Sequence, residues 1–244
     1  MTISGMGQSF RREMAKSHPQ VMTTMDTNNN TPTGQAVRVM RAGSQHINGM
    51  ARCHIACFPD QFISRMGLRF AKSFYEAYLI ESDGLAFVAV DEGDGRVVGL
   101  VAGGDPDIRA TFLGVAPHRF PFVLLWRYLT DCVVRSAVLR HLRSKLGRGG
   151  KSRIDEEISN WPQPGDLPWA KLQVIAALTD YRGSGVATAL IQAFQTACRE
   201  DGYRSMDLSV HTDNTRAIAF YKKNGWQIVK KTKGTTYMRR SSND

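Results

Sequence analysis

The chain has 244 residues, 42% of them hydrophobic, with 32 Lys or Arg against 22 Asp or Glu and a formal net charge of +10. That length can bury one sizeable core, and four scattered cysteines, Cys53, Cys57, Cys132 and Cys198, exclude a secreted disulfide framework and make a reducing cytoplasm the expected setting. A pI near 9.7 invites nucleic-acid binding, but no helix-turn-helix, zinc-finger spacing or aromatic RNP-like stretch accompanies the charge, so nucleic acid is not an expected partner.

Residues 1–35 contain little that could form a core and include Asn28-Asn29-Asn30-Thr31-Pro32-Thr33-Gly34, so they read as a disordered leader without function. No apolar h-region follows Arg11-Arg12; a secretory signal is not expected, and Met22 and Met25 are candidate starts. Ala36 to Met40 alternates as a first strand, followed by amphipathic helical stretches through Ala56 and through Tyr78. Cys53 and Cys57, four apart, share a helical face, and His54 beside them has no second ligand pair at a useful spacing. They are expected to be buried structural residues, and no metal is predicted. Leu85 to Val90 and Val97 to Ala102 read as a hairpin turning at Glu92-Gly93-Asp94-Gly95.

Residues 105–168 read as an insertion. From His118 to Arg153 there are nine Lys or Arg against the single acid Asp131, so +8 of the net charge is local to this stretch. Phe120 to Leu146 has helical spacing, and the plain reading packs Leu124, Leu125, Leu129 and Val133 against the domain. Sharper readings are binding of an anionic substrate, peripheral contact with an anionic membrane surface, or a homodimer contact. A transmembrane span is excluded because Arg127, Asp131, Arg135 and Arg140 interrupt every window of about twenty residues. Asn160-Trp161-Pro162-Gln163-Pro164-Gly165-Asp166-Leu167-Pro168 reads as a proline-rich return.

Leu172 to Leu178 is apolar and partly β-branched, as a buried central strand should be, and Val186, Ala187, Leu190, Ile191, Phe194 and Ala197 then repeat at helical spacing. Between them lies Tyr181-Arg182-Gly183-Ser184-Gly185-Val186-Ala187. Gly183 and Gly185 let a phosphate approach the backbone where a helix begins, and the first N–H groups of that helix lack intrahelical partners. With the helix dipole behind them and the Arg182 guanidinium beside them, they suit a pyrophosphate. No Gly-Lys-Ser/Thr ends the stretch, which excludes a P-loop. A dinucleotide fingerprint would need glycine at Thr188 and a placed acid downstream, for which Asp201 and Asp207 are only loose candidates. After a further strand comes Asn214-Thr215-Arg216-Ala217-Ile218-Ala219-Phe220-Tyr221, then Asn224-Gly225-Trp226.

On these residues the chain resembles the GNAT acyltransferase superfamily. Its pyrophosphate loop, Gln/Arg-x-x-Gly-x-Gly/Ala, is matched by Arg182, Gly185 and Ala187, and its downstream Asn, Ala, aromatic-Tyr and Gly-Phe positions by Asn214, Ala217, Phe220-Tyr221 and Gly225-Trp226. The resemblance covers roughly residues 36–104 and 169–240 within one domain, 36–244. One departure is Thr179, where many members carry proline before the loop.

The resemblance implies an α/β (α+β) fold, a mixed and mainly antiparallel central sheet flanked by helices, here with a basic helical insertion. It also implies an acetyl-CoA-dependent N-acetyltransferase working by direct transfer to a small-molecule amine. The strand at Ile175 to Leu178 splays from its neighbour and pairs with the pantetheine arm, Ala177 or Leu178 offers an N–H to the thioester oxygen, and Gly183, Ser184, Gly185, Val186 and Ala187 cradle the pyrophosphate. Tyr221 is carried over as general acid, its alternative being an ordinary packed aromatic; Asn214 caps its helix, contacts coenzyme A, or does both. The general base is not identified: His211, Asp105 and Asp107 are candidates, but each reads first as an ordinary loop or capping residue, and a water chain can serve. Phe58-Pro59, Phe62, Met66-Gly67, Phe70 and Phe74-Tyr75 with the basic insertion further resemble GNAT proteins of bacterial capsule and exopolysaccharide gene sets. That points to an amino sugar or sugar nucleotide, the alternative being two helices with aromatic core residues. Acylation of a protein amine, a longer acyl chain, and a non-catalytic acyl-CoA sensor are the other readings.

Overall fold

The computed structural model describes residues 23–25, 36–146 and 168–242. Eight strands form one sheet: β1 (Thr23–Met25), β2 (Val37–Arg41), β3 (Gly84–Asp91), β4 (Val97–Gly104), β5 (Trp169–Ala177), β6 (Ser205–His211), β7 (Gln227–Lys231) and β8 (Thr235–Ser241), in the order β1-β2-β3-β4-β5-β6-β8-β7. Every pairing is antiparallel except β5 with β6. The fold expected from the sequence, a mixed and mainly antiparallel sheet flanked by helices, is the one found. β1 lies where the sequence reads as a leader: three of those residues pair with β2. The rest of the leader and the proline-rich return to 167 lie outside the described residues.

The expected hairpin is present, with its turn closed by Gly95 at φ 71° and by the Asp91 carboxylate, which accepts from Gly93 N–H at 2.8 Å. β3 and β4 are buried along nearly their whole length, because helices cover both faces. On one face lie α1 (Ile47–Cys57), α2 (Phe62–Arg65) and α3 (Leu68–Ile80). Met50, Cys53, Phe70, Phe74, Tyr75 and Tyr78 pack there against Ala86, Val88, Leu100 and Ala102. The aromatic run 58–75 is thus mainly core, with Phe70, Phe74 and Tyr75 buried and edge-to-face contacts linking Phe74 to Tyr75 and Tyr78.

After β4 the chain makes three helices, α4 (Asp107–Arg119), α5 (Pro121–Thr130) and α6 (Cys132–Leu146), where the sequence suggested one helical stretch from Phe120. The break before α5 follows from Pro121, which fits the first helical position but cannot continue a helix entered from Phe120. Ile108, Phe112, Ala116 and Val134 anchor this layer to the α1–α3 core. Leu124 packs inward as expected; Leu125 and Leu129 do not, and stand exposed. Among the described residues no helix is long and apolar enough to cross a membrane.

The opposite face carries α7 (Val186–Glu200) and, after β6, α8 (Thr215–Lys223). Of the predicted stripe, Val186, Leu190, Ile191, Phe194 and Ala197 are buried against Phe87, Val98, Val101 and Leu172, and Ala187 is half-buried. Close approach needs a missing side chain below: a Cβ on Gly99 of β4 would stand 2.9 Å from both Leu190 and Val186. That contact seats the first turn of α7 directly over the middle of the sheet.

Candidate active site

β5 and β6 pair only through Trp169–Lys171 and Ser205–Asp207. Beyond that point β6 stays with β8 as far as His211↔Thr235, while β5 stays with β4 as far as Ala177↔Gly99, so the two strands diverge. Asp207 stands at the fork, buried, and accepts two hydrogen bonds of 2.7 Å from the Arg239 guanidinium across the ladder to β8. The divergence explains why β5, central in the strand order, is half-exposed along Gln173, Val174 and Ile175.

The open edge has a definite chemistry. Leu178 N–H donates to Val98 O at 2.8 Å, which sets the alternation of the antiparallel ladder: Ala176 and Val174 address β4, whereas the backbone N–H and C=O of Ala177 and Ile175 turn away from it, toward the gap. Of the two N–H groups expected to face a thioester oxygen, that of Leu178 is therefore engaged within the protein and that of Ala177 is the one turned outward. The register skips Gln173, a bulge that bends β5 where it leaves β6.

At the end of β5 a single 3-10 turn, Thr179–Tyr181, leads into the glycine loop. Gly183 and Gly185 have φ of 88° and 91°, a region costly for other residues, and a Cβ at either would meet open space. Their role is the backbone conformation, and what lies above them is clear. Ser184 turns inward and donates to Tyr181 O at 2.7 Å. Gly185 is the N-cap of α7, no side chain caps the helix, and the first intrahelical bond runs from Ala189 N–H to Gly185 O. The N–H groups of Val186, Ala187 and Thr188 thus point out of a 15-residue helix beside exposed Arg182, a strong anion cradle.

Beneath the loop is a support the sequence reading missed. Tyr181 is buried and its hydroxyl donates to the buried carboxylate of Asp91 at the end of β3. The two residues are 90 positions apart, so no local signal could have paired them.

On the other strand of the fork, the Asn214 side chain accepts from Ala217 N–H at 3.1 Å and so caps α8, one of its expected roles. Tyr221 lies in the last turn of α8 with its ring against Phe220 and Trp226, centroids 5.4 and 6.0 Å away. Burial pushes its hydroxyl up to about 12. Asn224-Gly225-Trp226 ties the helix end in place, with Asn224 O accepting from Gln195 of α7 at 3.3 Å and from Arg240 of β8.

Residues 47–226 match the model of the acetyltransferase (GNAT) family. The chain belongs to that family. Among solved structures, this GNAT chain is similar to SsHAT, at 24% identity and a TM-score of 0.57 over 85% of this chain and 99% of that one. It is similar to the GNAT domain of S. lividans PAT at 13% identity and a TM-score of 0.53, over 92% and 99% of the two chains. It also resembles Arabidopsis thaliana NAA60 in complex with acetyl-CoA, at 14% identity and a TM-score of 0.52, over 85% and 99%. These likenesses are of fold. A curated relative, YxbD of Bacillus subtilis, is 32% identical over 56 residues, which is 23% of this chain and only 35% of that protein.

Two further features belong to the gap of this GNAT domain. Cys57, at the end of α1, donates from Sγ to Ala177 O at 3.3 Å, so its thiol sits on the open edge of β5. A hydrogen bond from Cys53 holds the Cys57 thiol below its ordinary value and the Arg182 charge adds to this, against the opposing effect of burial. Of the acid and base candidates, His211 ends β6 and is exposed beside the fork. Asp105 and Asp107 lie past Gly104, the far end of β4 from Gly99 and Ala177; the Asp105 carboxylate accepts from Asp107 N–H at 2.8 Å and starts α4. Those two aspartates are helix-starting residues away from the gap.

Proposed function

We propose that the protein is an acyl-CoA N-acetyltransferase that moves the acetyl group of acetyl-CoA to the nitrogen of a small-molecule amine. The observation that carries this reading is the fork: a strand edge that β6 leaves open at Ile175 and Ala177, where Ala177 O meets only the Cys57 thiol among the described residues, runs directly into an uncapped helix N-terminus at Val186 to Thr188. An extended amide-bearing arm ending in a pyrophosphate complements that pair of features, because the strand edge offers alternating donors and acceptors and the helix end offers convergent N–H groups.

On this reading Arg182 and the N–H groups following Gly185 bind the pyrophosphate, and the Ile175 and Ala177 backbone pairs with the pantetheine arm. Ala177 N–H donates to the thioester oxygen and draws off charge as the amine attacks. The C–N bond forms and the C–S bond breaks; the thiolate takes its proton from Tyr221, and the amine loses one to water. Asn214 serves through its cap, which sets the start of the helix that carries Tyr221. Leu178 supports the site through its bond to Val98 and not as a donor to substrate.

The aromatic run 58–75 gives the amino-sugar reading little help, because its largest members are core. Amino sugars and sugar nucleotides therefore enter an acceptor panel on equal terms with polyamines and amino acids. The test is release of free thiol from acetyl-CoA across that panel beside Tyr221→Phe. Turnover with one amine that drops in the variant supports the reading; acetyl-CoA binding with silence across the panel moves it to a protein acceptor or a sensor, and lack of binding ends it.

A further inference from the structure

We propose that α5 is an interfacial helix that docks the protein onto an anionic lipid surface. The proposal stands apart from the acyl-transfer reading and uses none of its residues. Phe122, Leu125, Trp126 and Leu129 fall at i, i+3, i+4 and i+7 of α5 and are 83%, 59%, 66% and 62% exposed, so one continuous apolar stripe faces outward. On the inner side Leu124 and the preceding Phe120 pack against the α1–α3 core.

The exposure is not that of a loose arm. Asp131, between α5 and α6, is buried; it accepts from Val133 N–H at 2.9 Å to start α6 and pairs with Arg65 of α2 at 3.2 Å. Val134 of α6 and Phe112 of α4 are core residues on either side. The layer is therefore anchored to the domain while the stripe faces away from it.

Charge selects the partner. In sequence, residues 118–146 carry six Lys or Arg against the single acid Asp131, which is turned inward to Arg65; of the cations whose side chains are described, Arg119 pairs with Glu76 at 3.4 Å, Arg127 is half-buried and Arg135 is exposed. A second copy seated on the same stripe would bring together two segments of the same net positive charge. A bilayer of anionic lipid instead takes Trp126, Phe122, Leu125 and Leu129 into its acyl boundary, and the net positive charge of the segment favours its phosphates.

The test is flotation of the full chain with phosphatidylcholine vesicles and with vesicles that also contain phosphatidylglycerol, beside the double variant Leu125→Ser/Trp126→Ser, whose folding is checked by circular dichroism. The expected result is binding to the mixed vesicles, weakened by salt, and lowered on the order of tenfold or more in the variant, since each side chain contributes apolar burial. Failure of the wild-type chain to float with anionic vesicles overturns the proposal, as does equal flotation of the variant. So does sedimentation showing a lipid-free dimer that the variant dissociates, or hydrogen exchange showing that residues 147–167 cover α5 in the lipid-free protein. Acetyl-CoA binding unchanged in the variant keeps this outcome separate from the fate of the acyl-transfer reading.

Discussion

Tyr181 donates its hydroxyl to Asp91 from directly under the glycine loop, fastening the loop to the end of β3. Through Ser184, whose hydroxyl donates back to Tyr181 O, the same tyrosine also holds the conformation between Gly183 and Gly185. The loop is thus set by a buried contact with another strand, and its exposed glycines can keep their positive φ without side-chain contacts of their own.

Tyr181→Phe keeps the ring in place and removes only the hydroxyl. A hydrogen bond to a buried carboxylate is worth about 1.5–3 kcal/mol, so the variant is expected to lose that order of stability in urea unfolding. Looser seating of the N–H cradle should weaken acetyl-CoA binding on the order of tenfold, equivalent to about 1.4 kcal/mol, with a smaller effect on turnover at saturation. Unchanged affinity in a correctly folded variant would mean that the anchor is structural only.

Much of this site could be read from local pattern, because local physics makes it. The hairpin turn, the strand-to-helix glycine loop, the buried stripe of α7 and the Asn214 cap depend on residues within a few positions of one another. The fork could not be read that way, since it arises from β6 following β8 while β5 follows β4, pairings that the sequence of β5 does not encode. Apolar periodicity in α5 revealed a stripe but not its direction; Leu125 and Leu129 share the spacing of core leucines and face solvent because Leu124 and Phe120 already fill the inner side. Likewise the 3.3 Å contact of Cys57 with Ala177 joins residues 120 apart.

That contact makes Cys57 a reporter of the gap. N-ethylmaleimide should inhibit acetyl-CoA binding in the wild-type chain, since an adduct on Sγ occupies the edge where Ala177 faces outward, and preincubation with acetyl-CoA should slow the labelling. Cys57→Ala removes the target, and its binding should resist the reagent although exposed Cys132 is still present. Equal inhibition of that variant would place the sensitive thiol elsewhere.

For Tyr221 the direction of its shift fixes a pH profile. Burial raises its hydroxyl to about 12, so a donor role needs no titration of this group in an ordinary assay range. The attacking amine must be neutral, so kcat/KM should rise with pH toward the ionisation of the acceptor and then stay level to about pH 10. Tyr221→Phe should lower the plateau by roughly 10²–10⁴ without changing the shape of the curve. An alkaline fall in the wild-type profile that disappears in the variant would contradict this assignment, because it would require the tyrosine to ionise well below its buried value.

His54 predicts a pH dependence of stability instead of activity. It is buried under Phe58, Phe74 and Tyr75, shares a 2.6 Å hydrogen bond between Nδ1 and the Tyr75 hydroxyl, and has no partner for Nε2 among the described residues. Desolvation lowers its pKa from 6.5 to about 4. Between those values the unfolded chain binds a proton that the folded chain does not, so stability is complete above the unfolded value and falls as the pH drops toward the folded one. The slope is about 1.4 kcal/mol per pH unit, and the total loss across the window is about 3 kcal/mol. Urea midpoints of the wild-type chain should therefore decline across this window, and His54→Gln, which cannot titrate, should decline less, although losing the imidazole packing makes it less stable at neutral pH. Parallel curves for the two proteins would show that the acid sensitivity comes from the carboxylates and that His54 is protonated without cost in the fold.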